Sequence, residues 1–136
     1  MKRAELEALG RSLRRINPSL LRKPADVSTR IWYQGGEPYF DVFVDLKAGE
    51  IDWFQVTLRG RFLCWRRDGT GWQTGTTNEL QTEVQVLYPA SKTVTLDDTL
   101  DGQFVHCVQS LLATRADDPL LGRLAAFCTQ AYLQVS

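Results

Sequence analysis

Few side chains in this chain could do covalent chemistry, and their spacing limits what each could do. The lone histidine, His106, shares one side of a helical pattern with Gly102, Gln103 and Gln109, away from the leucine stripe. A general base needs an orienting partner, and the sequence supplies none beside it. Cys64 lies between Leu63 and Trp65, the setting of a small buried hydrophobe rather than a nucleophile. With Cys107 and Cys128 it makes three widely separated thiols, which form neither a zinc knuckle nor a CxxC pair. Asp41 and Asp45 fall on one side of a strand about 13 Å apart by the rise per residue, too wide for a glycosidase pair. DGTG at 68–71 lacks the lysine and the following helix of a phosphate loop, so it reads as a hairpin connection. No catalytic residue, metal site or cofactor is expected.

Recognition chemistry is better represented. Residues 32–60 interleave Trp32, Tyr33, Tyr39, Phe40, Phe43, Trp53 and Phe54 with Asp, Glu and Arg. Arg59, Arg61, Arg66 and Arg67 cluster just beyond, suited to a phosphate or a carboxylate-rich partner and equally to guarding a sheet edge. Lys2, Arg3, Arg11, Arg14, Arg15, Arg22 and Lys23 outweigh Glu5 and Glu7 near the start, yet the whole chain has a net charge of +0. That balance makes nucleic acid an unlikely partner. The opening MKRAELEALGRSLRR has no apolar signal-peptide stretch, and no run of about 18 apolar residues could span a membrane. Free thiols and these absences suggest the cytoplasm.

The elements that would position these side chains follow from periodicity. Leu6, Leu9, Leu13 and Ile16 predict an amphipathic helix over 3–16, ended by Asn17-Pro18. SLLRKPAD then leads through a turn into a sheet. Two strands that alternate through Ile31 and Val42 flank Gly35-Gly36, read as a two-residue turn with positive φ at both centres. That turn sets Ile31 against Phe40, Thr29 against Val42 and Val27 against Val44, with Trp32 facing Tyr39 and Arg30 facing Asp41. A three-residue loop Lys47-Ala48-Gly49 then sets Val42 against Phe54, Phe40 against Val56, Phe43 against Trp53, Asp41 against Gln55 and Tyr39 against Thr57. RFLCWRR is a fourth strand in either of two registers: a tight turn puts Leu63 and Trp65 inside, a longer one Phe62 and Cys64. WQTGTT and residues 82–88 are further strand candidates. Leu100, Phe104, Val108, Leu111 and Leu112 predict a helix with Asp98 and Asp101 near its start. A second helix begins at Asp118-Pro119 and carries Leu120, Leu121, Leu124, Phe127, Cys128 and Ala131 toward Tyr132.

The predicted fold is therefore one α+β domain over 1–136: an N-terminal helix, an antiparallel meander of four to six strands, and two C-terminal helices on one sheet face. The layout is similar in outline to small bacterial helper proteins such as secretion chaperones and toxin-immunity proteins, which implies binding rather than catalysis. The other sheet face would project Arg30, Trp32, Tyr39, Asp41, Phe43, Trp53, Gln55, Thr57 and Arg59. Aromatics mixed with arginine suit an interface core, where both are enriched. Either the protein's own N-terminal helix or 68–80 loop covers this face, or it binds a protein partner or a second copy. The alternative function is a pocket for a small anionic ligand between the sheet and the 68–80 loop, with Arg59 or Arg66 on the anion and Trp65 or Trp72 stacking.

Overall fold

Alternating side chains over residues 28–77 build an antiparallel ladder, seen in a computed structural model that describes residues 2–16, 28–77 and 94–135. The order is α1 (Arg3–Ser12), β1 (Arg14–Arg15), β2 (Ser28–Gln34), β3 (Asp41–Lys47), β4 (Glu50–Leu58), β5 (Arg61–Arg66), β6 (Gly71–Thr77), β7 (Val94–Leu96), α2 (Gly102–Ala113) and α3 (Pro119–Val135). The seven described strands join one sheet in chain order. This is the expected α+β meander with helices at both ends. The strand count exceeds four to six because two short edge strands, β1 and β7, join it. The turn at 17–26, Val27, the strand candidate at 82–88 and the Tyr132 side chain lie outside what is described.

The first helix ends at Ser12 rather than at residue 16. Leu13 turns extended at ψ 124, and its N–H donates to the Gly10 carbonyl at 3.2 Å. Its side chain is buried, and Arg14 and Arg15 then pair with Gln34 and Tyr33. Burying Leu13 and closing the sheet edge outweigh another turn of helix.

Both expected hairpin registers shift by an even number of residues, so the faces survive although the partners change. Ile31 lies opposite Val44, Trp32 opposite Phe43 and Arg30 opposite Asp45, not opposite Phe40, Tyr39 and Asp41. The connection is longer than two residues: the Gly35 N–H donates to the Phe40 carbonyl at 2.8 Å. Gly35 is required by close packing, since a Cβ there would sit 2.0 Å from the Phe40 ring. Gly36 donates its N–H to Ser12 Oγ at 2.9 Å, which docks α1. Positive φ falls instead on Tyr39, at 60°.

The second hairpin has a two-residue turn, Ala48-Gly49, with φ of 52° and 81°. Lys47 pairs with Glu50 and Leu46 with Ile51, but Asp45 then pairs with Trp53, leaving Asp52 as the extra residue of a bulge. Val42 consequently meets Val56, Phe43 meets Gln55 and Asp41 meets Thr57. Arg59-Gly60, also at positive φ, makes the tight turn that places Leu63 and Trp65 on the helix-covered face.

That face carries the core. Tyr33, Phe40, Val42, Val44, Phe54, Val56 and Leu63 pack with Val105, Val108, Leu111, Leu112, Leu121, Leu124 and Cys128 of the helices. Phe127 meets the Trp65 ring edge-on at 4.7 Å and lies 5.6 Å from Trp72. Polar groups fix the helices at their ends. Asp118 Oδ1 caps α3 by accepting the Leu120 and Leu121 N–H groups, and its Oδ2 accepts the Tyr33 hydroxyl proton at 2.8 Å. Arg115 Nη1 donates to the carbonyls of Gly10 and Leu13, closing the C-terminal end of α1. Asp101 caps α2 at Phe104 N–H and also meets the Arg61 guanidinium, which pairs with Asp97 at 2.8 Å. Thr74 donates its hydroxyl to Asp97 and accepts the Asp101 N–H.

Two predictions follow from these staples. Asp118→Ala should lower stability by about 1–2 kcal/mol and Tyr33→Phe by about 1 kcal/mol. The double variant should lose less than the sum in denaturant unfolding, because both changes remove one shared bond. The hydrogen bond from Arg61, aided by Thr74, holds the Asp97 carboxyl below the usual carboxylate range. A depressed folded-state pKa stabilises the fold above the unfolded value of about 3.9 and is lost as pH falls through the folded value. Asp97→Asn should therefore flatten the fall in melting temperature on acidification from pH 5 to pH 2.

Candidate functional site

On the face away from the helices, strand pairing arranges the side chains in rows across the sheet. One row runs Arg14, Gln34, Asp41, Thr57, Phe62, Gly75; the next runs Trp32, Phe43, Gln55, Cys64, Gln73; a third runs Arg30, Asp45, Trp53, Arg66, Gly71. In the middle row Trp32 stacks on Phe43 with ring centroids 5.6 Å apart and planes within 10°. The Trp32 indole N–H donates to Asp41 Oδ1 at 2.9 Å, tying that row to the first.

The third row is built around one indole. Arg30 approaches the Trp53 ring from the β2 side at 5.2 Å, and Arg66 approaches it from β5 at 5.6 Å. Arg30 also grips Asp45 with two parallel bonds, Nε to Oδ1 at 2.8 Å and Nη2 to Oδ2 at 3.0 Å. The bond to Asp45 raises the Arg30 pKa above its ordinary value despite partial burial. A partly exposed pair of this kind contributes about 1 kcal/mol or less, so its main effect is to hold the guanidinium over the ring. The Trp53 indole nitrogen is buried and has no hydrogen-bond partner among the described residues.

Of the nine residues expected on this face, Arg30, Trp32, Asp41, Phe43, Trp53 and Gln55 lie on it half-buried. Thr57 lies on it but is buried. Tyr39 and Arg59 sit instead in the connecting turns. Arg59 is drawn off the face by Glu37 at 2.8 Å and Glu5 at 3.0 Å, which raise its pKa. Phe62 and Cys64 are buried beside Thr57, a centre that followed only once the tight turn at 59–60 fixed the register. Arg66 belongs to the same face; in the sequence it stood out as one of four clustered arginines and as a candidate anion anchor, not as a neighbour of Trp53. Asp45, the true partner of Arg30, was hidden by the four-residue shift of the first hairpin.

Among the described residues, the two side chains weighed for covalent chemistry lie apart. Cys64 faces away from the helices, 3.8 Å from Gln73 Oε1, whereas His106 is exposed on α2 on the opposite side. Among the described residues no group of three or more His, Cys, Asp or Glu side chains could hold a metal. Trp65 and Trp72 are turned into the helix-covered core, so neither shares a face with Arg66. A cleft of about 260 Å³ beside the third row is lined by Asp45, Asp52, Trp53, Arg66, Arg67 and Asp68. A second, of about 230 Å³, includes Asp97 and Asp98. No described helix is long and apolar enough to cross a membrane.

No protein-family model matches the chain, and no curated protein or solved structure matches it. The site is therefore argued from its own geometry. Burial alone pushes the Cys128 thiol up to about 12 and also raises that of Cys64. Because only the thiolate attacks, a disulfide reagent at pH 8 should leave Cys128 unmodified in native protein. Denaturant should release all three thiols, read as the stoichiometry of coloured thiolate.

Proposed function

We propose that this chain is a non-catalytic, cytosolic protein-interaction module that binds a partner protein, or a second copy of itself, through the sheet face opposite its helices. One observation carries the reading. Trp32, Phe43 and Trp53 lie half-buried on the sheet face away from the described helices, and two arginines flank the Trp53 ring. Aromatic rings mixed with arginine are the composition of interface hot spots. Pre-stacked rings lose little side-chain entropy on docking. The helper-protein or immunity-protein type of role fits a face of this kind.

The small-anion reading has less support. The cleft at Trp53 mixes Arg66 and Arg67 with Asp45, Asp52 and Asp68, and the cleft at β7 is acidic. Neither concentrates positive charge.

The test is a Trp32→Ala/Trp53→Ala double variant, compared with the parent by circular dichroism, sedimentation velocity and affinity capture from the source cells. The expected variant keeps its spectrum and loses the partner or the self-association. A variant that unfolds identifies the rings as core and defeats the proposal.

A further inference from the structure

The two ends of the described sheet are finished differently. At one end β1 presents Arg14 and Arg15, both exposed, and charge of this kind discourages a further strand. At the other end β6 contains no charged residue, and β7 covers only part of it. Gly75, Thr76 and Thr77 face Leu96, Thr95 and Val94; the Asp97 N–H then donates to the Thr74 carbonyl at 3.0 Å, where β7 has ended. Backbone groups of an antiparallel strand alternate between its two edges with a period of two residues. The Trp72 N–H and C=O therefore point to the same edge as those of Thr74, and no described strand lies across from them.

A notch of about 230 Å³ opens at this step, and its walls include Trp72, Leu96, Asp97, Asp98 and Leu100. Leu96 is 49% exposed, the one large hydrophobic side chain so exposed among the described residues. No basic side chain lines the notch among the described residues. Around it three carboxylates share one guanidinium: Arg61 pairs with Asp97 at 2.8 Å and also meets Asp101, while Asp98 stands exposed. We propose that an extended segment of a partner protein adds to the open edge of β6 here, with a Lys or Arg set against Asp98 and an apolar side chain in the notch. Backbone bonds to Trp72 hold the segment, and the surplus of negative charge selects a basic one. This surface lies at the sheet edge and does not rest on the outward-face reading.

Random dodecapeptides displayed on phage and selected on the intact protein supply the probe. The expected winners combine Lys or Arg with β-branched or aromatic residues. A fluorescein-labelled synthetic winner should bind Asp98→Lys about tenfold or more weakly than the parent, with a smaller loss for Asp98→Asn. Added salt should weaken it as well. Asp98 is exposed, so both variants should melt with the parent. Strand addition has its own signature: N-methylation of the peptide backbone at alternate positions should abolish binding, and at the intervening positions should spare it. Gln55→Arg, on the outward face, should leave binding unchanged. Winners weakened by Gln55→Arg but not by Asp98→Lys, winners unmoved by either, or no winners overturn the proposal and leave the outward-face reading standing. Loss on Asp98→Lys without dependence on the N-methyl position also overturns it, because a charge contact alone would then explain binding. Self-association of the parent in sedimentation velocity that Asp98→Lys abolishes would assign the edge to a second copy and overturn the partner.

Discussion

Everything on the outward face depends on a single extra residue. The Ala48-Gly49 turn alone would put every side chain of β4, and of all strands after it, on the wrong side of the sheet, since the side-chain period is two. Asp52 is inserted between Ile51 and Trp53, and the phase is restored. Arg67 secures the insertion: its N–H donates to the Asp52 carbonyl at 3.0 Å, and its Nη2 donates to the Ile51 carbonyl at 2.6 Å. Those are the carbonyls a disrupted ladder would otherwise leave to solvent. With the bulge held, Phe54 turns to the helices and Trp53 to the opposite face.

From that phase the rest of the sheet divides cleanly. The buried part of the helix-covered side is apolar apart from Thr74 and the Tyr33 hydroxyl, and at its margin the Arg61 guanidinium joins β5, the β7 end and the α2 cap. The other side is held by cross-strand contacts within the sheet: the Trp32–Phe43 stack, the Trp32–Asp41 bond and the Arg30–Asp45 fork over Trp53. Contacts of this type are worth a few tenths to one kcal/mol each, roughly, so they arrange the surface more than they stabilise the fold.

The helices are positioned by long-range polar bonds as well as by burial. Arg115, from the link between α2 and α3, closes the end of α1, and Tyr33 reaches from β2 to the cap of α3. These bonds join the first residues of the chain to the last helix, and they leave the outward face untouched.

The sequence by itself determined the element types apart from the edge strands β1 and β7, the face to which Ile31, Val42, Val44, Phe54 and Val56 belong, and the cap at Asp118-Pro119, because each rests on local periodicity or local backbone preference. Trp32, Phe43 and Trp53 were legible as outward for the same reason: parity survives any even shift. The cross-strand partners were not legible. Gly35-Gly36 looks identical in sequence whether it supplies positive φ or room for the Phe40 ring, and only packing chose the second. Nothing local marks Asp52 as a bulge, since its insertion is secured by Arg67 from the far end of the next hairpin. The Arg30–Asp45 fork, the removal of Arg59 to Glu5 and Glu37, and the approach of Arg66 to Trp53 were likewise decided by tertiary structure, because each depends on distances between strands that no single segment encodes.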